Sequence, residues 1–356
     1  MTSSLLSPSL VKRLRDRLLH WFAQEQRCLP WREDSDSYRV WISESMLQQT
    51  RVETVIGYFD RFLTRFPCLR DLAQSSEEDV LALWSGLGYY SRARKLREAA
   101  ILICEQHAGV FPRCHAAALS LPGVGPYTAG AVLSIAYDLP EPLVDGNVQR
   151  VFARLFALRE PSGSGPLQKK LWALAGELVP KRGGAGDWNQ ALMELGATLC
   201  TPREPGCHIC PVAGSCRARE LDLVADLPVP KPRKKPTEVQ LEIFVARRGQ
   251  RLLLEKRPPG GRMAGLWQFP TLERAPGGAL FPAQFPAGDG GGEPLMGRTE
   301  ALGNLRHSIT RYAIRARISG AQLLGTLPAH WQWFDAKKLP DVPLTGMARK
   351  VLHVGE

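Results

Sequence analysis

Apolar residues recur at three- and four-residue spacing from Leu10 to about Leu199, and Val52, Val55, Ile56, Phe59, Phe62 and Leu63 form one clear stripe. Such spacing predicts a mainly helical stretch. Proline and glycine interrupt it at Phe66-Pro67, at Leu121-Pro122-Gly123, at Leu139-Pro140 and between Pro161 and Pro166, dividing it into helices of ordinary length. The segment from Pro228 to Pro236 has no apolar period, and its prolines favour an extended chain. Beyond it, Val239–Val245, Leu252–Leu254 and Tyr312–Ile318 are short, rich in β-formers and partly alternating, which predicts a sheet with one or two helices. The pattern reads as an α+β chain of two domains: a helical one over residues 1–226, a Pro/Lys linker at 227–237, and a smaller α/β one over 238–356. The Gly- and Pro-rich Pro276–Pro294 is expected to be a loop or insertion.

A chain of 356 residues accommodates two cores, since single cores seldom grow past roughly 250–300 residues. Forty-six Lys and Arg against 35 Asp and Glu leave a formal charge of +11, which draws polyanions and makes that attraction salt-sensitive. Charge alone leaves open a basic soluble protein with no anionic partner. No run of about 18 apolar residues is present, and Met1–Gln26 is amphipathic, interrupted by Lys12, Arg13, Arg15, Asp16 and Arg17. Neither a membrane span nor a secretory signal is expected.

Of the eight cysteines, Cys28, Cys68, Cys104 and Cys114 are scattered, whereas Cys200, Cys207, Cys210 and Cys216 fall in one segment with six, two and five residues between them. Without an export signal, this crowding indicates metal ligation rather than disulfides. Structural zinc usually takes its cysteines as two close pairs, and only Cys207 and Cys210 form one. An iron–sulfur cube accepts less regular spacing; both centres stay open at this point. Thr201, Arg203 and Arg217 among the ligands favour a structural centre that shapes a basic loop.

The run from Leu121 to Gly130 sets Gly123 and Gly125 in a tight turn just before the apolar Ala131–Ala136. Glycine backbone approaches a phosphate closely, and free N–H groups at a helix start favour an anion; the same turn also serves as an ordinary connection. Glu44 lies among bulky apolar neighbours near the expected start of a long helix. Those surroundings disfavour the ionised form and raise its pKa, as a proton donor requires. Asp145 precedes the helical stripe Val148, Val151, Phe152 and Leu155, and a helix N-terminus favours its charged form. Two carboxyls shifted in opposite directions suit acid-assisted cleavage of a glycosidic bond through a cationic sugar. Taken singly, Asp145 is equally an N-cap worth roughly 1 kcal/mol, and Glu44 a first-turn dipole partner.

Trp41–Thr50, Gly86–Arg94, the glycine turn, Val144–Asn147 and the four cysteines together resemble the MutY-type adenine DNA glycosylases of the helix-hairpin-helix base-excision (HhH-GPD) superfamily, over about Leu29–Cys216. The resemblance implies a two-lobed helical domain with a catalytic cleft and a [4Fe–4S] cluster on the four cysteines. It further implies excision of adenine mispaired with 8-oxoguanine or guanine in double-stranded DNA, by a monomer with no membrane partner, in a bacterial cytoplasm or a eukaryotic nucleus. By position, Glu44 resembles the acid that protonates adenine N7, and Asp145 the carboxylate that stabilises the oxocarbenium sugar. Asn147 resembles the partner of that aspartate, and Tyr127 the tyrosine beside the pair. Gln49 and Tyr89 match residues that probe or wedge the base stack, while Trp31, Arg32 and Gln190 match positions around the adenine pocket. Related lyases place a lysine nucleophile where Tyr127 stands, so attack by water without strand cleavage is implied. Pro126 and Gln149 replace basic residues of some relatives.

Arg257–Pro270 and Trp331–Lys350 resemble the C-terminal Nudix-like module of the same family. Thr271–Gly278 stands where a working Nudix hydrolase carries its acidic metal-binding helix, with too few carboxylates for Mg²⁺; the module is implied to read 8-oxoguanine. The family's Phe-Ser-His reader turn aligns with Ile309-Thr310-Arg311, preceded by His307 and Ser308. Thr310 keeps a hydroxyl, while arginine in place of histidine predicts weaker discrimination of 8-oxoguanine from guanine. Two other readings stand beside this one. A glycosylase for thymine opposite guanine is disfavoured by the C-terminal module, and a non-catalytic iron–sulfur redox sensor on DNA needs neither Glu44 nor Asp145.

Overall fold

A computed structural model of the chain describes residues 5–231, 235–258, 263–274, 296–309, 311–324 and 326–354; Thr310 and the Pro276–Pro294 segment lie outside them. Two compact units form, one of residues 1–74 with 95–232, the other of residues 75–94 with 233–356. Residues 75–94, expected inside a continuous helical domain, group with the C-terminal unit. The Ser85 and Tyr90 hydroxyls donate to the Leu344 carbonyl at 3.3 and 3.2 Å, and Arg349 donates to Ser85 Oγ at 2.7 Å.

The helices in chain order are α1 (Pro8–Glu25), α2 (Ser37–Leu47), α3 (Val52–Arg65), α4 (Leu69–Gln74), α5 (Glu77–Trp84), α6 (Ser91–Gln106), α7 (His115–Ser120), α8 (Pro126–Tyr137), α9 (Gly146–Leu155), α10 (Gly165–Leu178), α11 (Ala185–Thr198) and α12 (Arg217–Glu220). Side chains chosen for the task open several of them. Ser7, Asp36, Ser76, Asp145 and Ser164 each accept a first-turn N–H of the helix they precede, removing an otherwise unpaired donor. Leu14, Leu18 and Phe22 of α1 bury against Val148, Val151 and Phe152 of α9 and against Trp188 and Leu192 of α11. Around α2 and α3, Trp31 meets Phe59 edge-on at 5.5 Å and Trp41 tilts onto Phe111 at 5.6 Å. Burying each such aromatic contributes roughly 1.5–3 kcal/mol. Among the described residues, no helix is long and apolar enough to cross a membrane.

The local setting of Glu44 differs from expectation. Asp36 starts α2 and Gln48 ends it, so a break at Gln48–Arg51 separates α2 from α3. Glu44 therefore stands in the last turn of a short helix rather than near the start of a long one. Apolar periodicity runs across the break, which is why it hid the boundary.

In the C-terminal unit, β1 (Thr237–Arg248), β2 (Arg251–Lys256), β3 (Trp267–Gln268), β4 (Thr271–Glu273), β5 (Met296–Ile309), β6 (Tyr312–Leu323) and β7 (Trp331–Asp335) form a sheet of order β3-β2-β1-β6-β5, with β4 on β1 and β7 on β2. The strands β1 and β6 run parallel in register from Thr237 opposite Tyr312 to Ala246 opposite Ala321, and β5 pairs antiparallel with β6. One face packs Val239, Leu241, Ile243, Ile314 and Ile318 against Met347 and Val351 of α13 (Gly346–Leu352).

Candidate active site

The glycine turn joins α7 to α8 as a helical hairpin. Gly123 holds φ +78°, and a Cβ there would lie 2.8 Å from Lys95 Cβ, so no side chain fits. Gly125 has ordinary extended backbone, and a Cβ on it would meet nothing within 4 Å; the space in front of it is open. No side chain caps α8, so its first N–H groups have no side-chain acceptor from the cap.

The hairpin delivers Tyr127, on the first turn of α8, to Glu44. The Tyr127 hydroxyl donates to Glu44 Oε2 and also points at Met193 Sδ, 3.5 Å away. Glu44 is 4% exposed. Burial pushes its carboxyl up to about 7, the Tyr127 hydrogen bond and the Arg32 charge hold it down, and the Asp145 charge adds to the rise. Its place at the C-terminal, negative end of α2 acts in the same direction as burial. Burial, together with the Glu44 charge, also lifts the Tyr127 hydroxyl well above its usual range, so it acts as a donor.

Asp145 is the N-cap of α9. Its Oδ1 accepts Val148 N–H at 2.7 Å and its Oδ2 accepts Asn147 Nδ2 at 3.0 Å. The expectation that the two carboxyls shift in opposite directions does not hold. Burial raises Asp145 as well, and its bonds to Val148 and Asn147 offset only part of that rise. What opposes burial differs between the two acids: Asp145 has backbone amides and the Asn147 side chain, Glu44 the Tyr127 phenol and the Arg32 charge.

Asn147 is oriented from behind. Its Oδ1 accepts Arg150 at 2.8 Å, and the same guanidinium reaches the carbonyls of Gly196 and Cys200, each at 2.7 Å. A Cβ on Gly196 would lie 2.5 Å from Asn147 Cβ, so only glycine lets α11 come this close. Arg150 and Gly196 were not anticipated; the signal for the first was the Arg150/Arg154 pair one helical turn apart.

Glu44, Tyr127, Asp145 and Asn147 line one cavity of about 140 Å³ together with Trp31, Arg32 and Gln190. Its floor holds a further unanticipated residue, Glu194, whose side chain is 1% exposed and accepts Arg27 at 2.7 and 3.0 Å and Arg32 at 2.9 Å. Burial alone would raise this carboxyl, but the two arginines outweigh it and hold it below the usual range. A lone acid among Met193, Leu195 and Gly196 was its sequence signal. Gln49 does not reach this cavity. It has φ +61° and lines an open cleft with Gln48, Gln149 and Gln168, and Leu47, Tyr127 and Asp145 line both spaces.

Tyr89 belongs to the other unit. It is 48% exposed with φ +48°, and the Arg92 guanidinium lies over both its ring and that of Trp84, at 5.3 and 5.6 Å. On the β5–β6 turn, Arg311 stacks on Tyr312 at 5.2 Å and donates to its hydroxyl. Thr310 lies outside the described residues. Thr271–Glu273, the start of the stretch that replaces the acidic helix, is strand.

Cys200, Cys207, Cys210 and Cys216 line one cavity with Val151, Leu195, Leu199 and Val212. None is in a disulfide, and all four are half-buried. Burial pushes the Cys210 thiol up to about 11 and raises Cys216 too, so a cation is what would draw their protons off. Among the described residues, no three His, Cys, Asp or Glu side chains are set to hold a single ion. Arg154 donates to Cys200 Sγ at 3.5 Å and to the Thr201 carbonyl at 2.7 Å, tying the loop to α9.

Comparison with known proteins gives the family. Residues 42–177 match the HhH-GPD superfamily base excision DNA repair proteins, and residues 242–354 match the NUDIX domain. The adenine DNA glycosylase of Homo sapiens is 36% identical over 411 aligned positions, covering 97% of this chain and 74% of that one. That of Rattus norvegicus is 41% identical over 75% of this chain and 62% of its own length. A solved thermostable thymine-DNA glycosylase superposes with a TM-score of 0.53 at 31% identity, covering 60% of this chain and 98% of that one.

Proposed function

The chain belongs to the adenine DNA glycosylases, hydrolases of base excision repair, and from that premise we propose how its own residues remove adenine and from what. The substrate is duplex DNA in which adenine faces 8-oxoguanine or guanine. The base turns out of the stack, at a cost of a few kcal/mol, into the cavity that holds Glu44, while the sugar and its phosphates remain in the open cleft beside Asp145. Hairpin amides in front of Gly125 take a phosphate.

The observation that carries this reading is the convergence of Glu44, Tyr127 and Asp145 on one cavity. Tyr127 occupies Glu44 Oε2 as a donor, so the acidic proton sits on the other carboxyl oxygen, free to pass to adenine N7. As it does, the bond between the base and the sugar breaks, and adenine leaves with both bonding electrons. Asp145, held by Val148 and Asn147, places its charge against the resulting cationic sugar. Water adds to that carbon and gives up a proton, leaving an abasic site. Tyr127 supplies no amine, so no covalent enzyme–DNA imine forms and the strand stays intact. Arg32 is fixed by Glu194 and, with Trp31 and Gln190, bounds the base; Gln49 and Tyr89 probe or wedge the stack from backbone conformations unusual for such residues. Thr310 and its neighbours read the opposite base.

The four cysteines suit a [4Fe–4S] cluster, which when bound would hold the loop between Cys200 and Cys216 as a rigid basic element. Arg154 and Arg150 join that loop to α9.

The test uses the purified protein as a monomer with duplexes carrying adenine opposite 8-oxoguanine, guanine or thymine, and thymine opposite guanine. Alkali-labile sites are expected with the first two only, and not with Glu44→Gln or Asp145→Asn. Release of thymine instead, or cleavage without alkali, would overturn the reading. Brown colour with iron bound is expected; zinc in its place would reject the cluster.

A further inference from the structure

The face of the C-terminal sheet opposite the α13 core carries an arginine ladder with more cations than carboxylates. In the β5–β6 hairpin, Arg306 stands directly opposite Arg315, and Asn304 opposite Arg317. On the other side of β6, Arg315 and Arg317 are in register with Gln240 and Glu242 of β1. Arg306, Arg315 and Arg317 are exposed. Two more arginines, Arg274 and Arg298, reach the same face and share the buried carboxylate of Glu242 at 2.8 and 2.5 Å. Glu238 approaches Arg315 only at 3.8 Å, with both side chains largely exposed, a contact of little worth. Among the described residues no carboxylate pairs with Arg306 or Arg317.

Like charges placed directly across a strand pair destabilise a sheet, so this arrangement costs the isolated fold something and is relieved by a polyanion. Strand geometry also spaces Arg315 and Arg317 about 6.6 Å apart, a repeat suited to successive phosphates of one nucleic-acid strand. The ladder lies on the same hairpin whose turn joins Ile309 to Tyr312, the turn proposed above to read the base opposite adenine.

We propose that this face is a second phosphate-binding surface, on which Arg306, Arg315 and Arg317 hold the backbone of duplex DNA. It rests on the reading that the chain works on duplex DNA, but not on which base is excised. Arginine suits the task because its planar fork takes a phosphate through two donors. The surface reads no sequence; it adds affinity and residence at the lesion.

The experiment uses the full chain with Arg306, Arg315 and Arg317 all changed to Gln, and a second variant with all three changed to Lys. Affinity for a mispaired duplex is measured across a salt series, alongside single-turnover excision at saturating protein. The Gln variant is expected to lose affinity, and its slope of log affinity against log salt to fall by about 0.9 per lost contact, roughly 2 to 3 in all. Excision at saturation and the thermal midpoint are expected to stay as in the parent, and the Lys variant to keep most of the slope. An unchanged slope in the Gln variant overturns the proposal, including the case where the face serves an acidic protein. A Lys variant as weak as the Gln variant overturns the charge argument. If the slope shifts but the parent excises no adenine, the adenine reading fails and this one stands.

Discussion

The Tyr127 hydroxyl donates to Oε2 of Glu44 across 83 positions of sequence, which makes the first turn of α8 and the last turn of α2 one chemical unit. Removing that donor with Tyr127→Phe removes the larger of the two influences that oppose burial at Glu44, leaving the Arg32 charge. A hydrogen bond to a charged acceptor is worth about 1.5–3 kcal/mol, so the alkaline limb of the single-turnover pH profile is expected to move up by about one pH unit or more. A limb that stays in place would show that Tyr127 acts elsewhere.

In the proposed mechanism the Glu44 carboxyl, held at about 7, acts in its protonated form. Excision is therefore expected to fall about tenfold per pH unit above 7. Stability follows the same proton. The native value lies above the ordinary 4.5, so the folded state keeps a proton that the unfolded chain has released. The stabilisation is fully present below about pH 4.5 and is lost as pH rises to about 7, on the order of 3 kcal/mol in all. Glu44→Gln is thus expected to raise the thermal midpoint more at pH 8 than at pH 5; equal effects would contradict a buried neutral acid.

Arg150 turns the Asn147 amide so that its NH₂ faces Asp145. In Arg150→Leu the amide is free to rotate, and the carbonyls of Gly196 and Cys200 lose a donor. Single-turnover excision is expected to drop by about 10- to 100-fold, with DNA affinity changed by much less. Parallel losses in affinity and rate would count against a positioning role.

A methyl group on Gly196 has no room beside Asn147. Overpacking of this kind costs about 1–3 kcal/mol, so Gly196→Ala is expected to lower the midpoint of chemical unfolding and to slow excision together. Full activity in a stable Gly196→Ala protein would mean that α9 can shift without harm.

Much of this site was legible in the chain because its devices are local. A glycine that needs positive φ, an aspartate before a helical stripe and four crowded cysteines all act within a few residues of where they stand. The contacts that failed to show are the distant ones. Nothing near Glu194 in sequence announces Arg27 and Arg32, and nothing near Ser85 announces Leu344. The α2–α3 break was hidden because Leu47 and Val52 continue one apolar rhythm across it. Strand β5 was missed for another reason: Arg298, Asn304 and Arg306 look like loop until β6 supplies the partner that makes them strand. The shift at Asp145 went wrong in sign because a helix start is easy to read and burial is not.

Asp145 caps α9 with the same carboxylate that the proposed mechanism sets against the sugar. Its aim is therefore only as steady as the hydrogen bonds that begin that helix. Warming that loosens this single turn would blunt the chemistry while the surrounding domain is still intact, so catalytic failure is expected to precede melting.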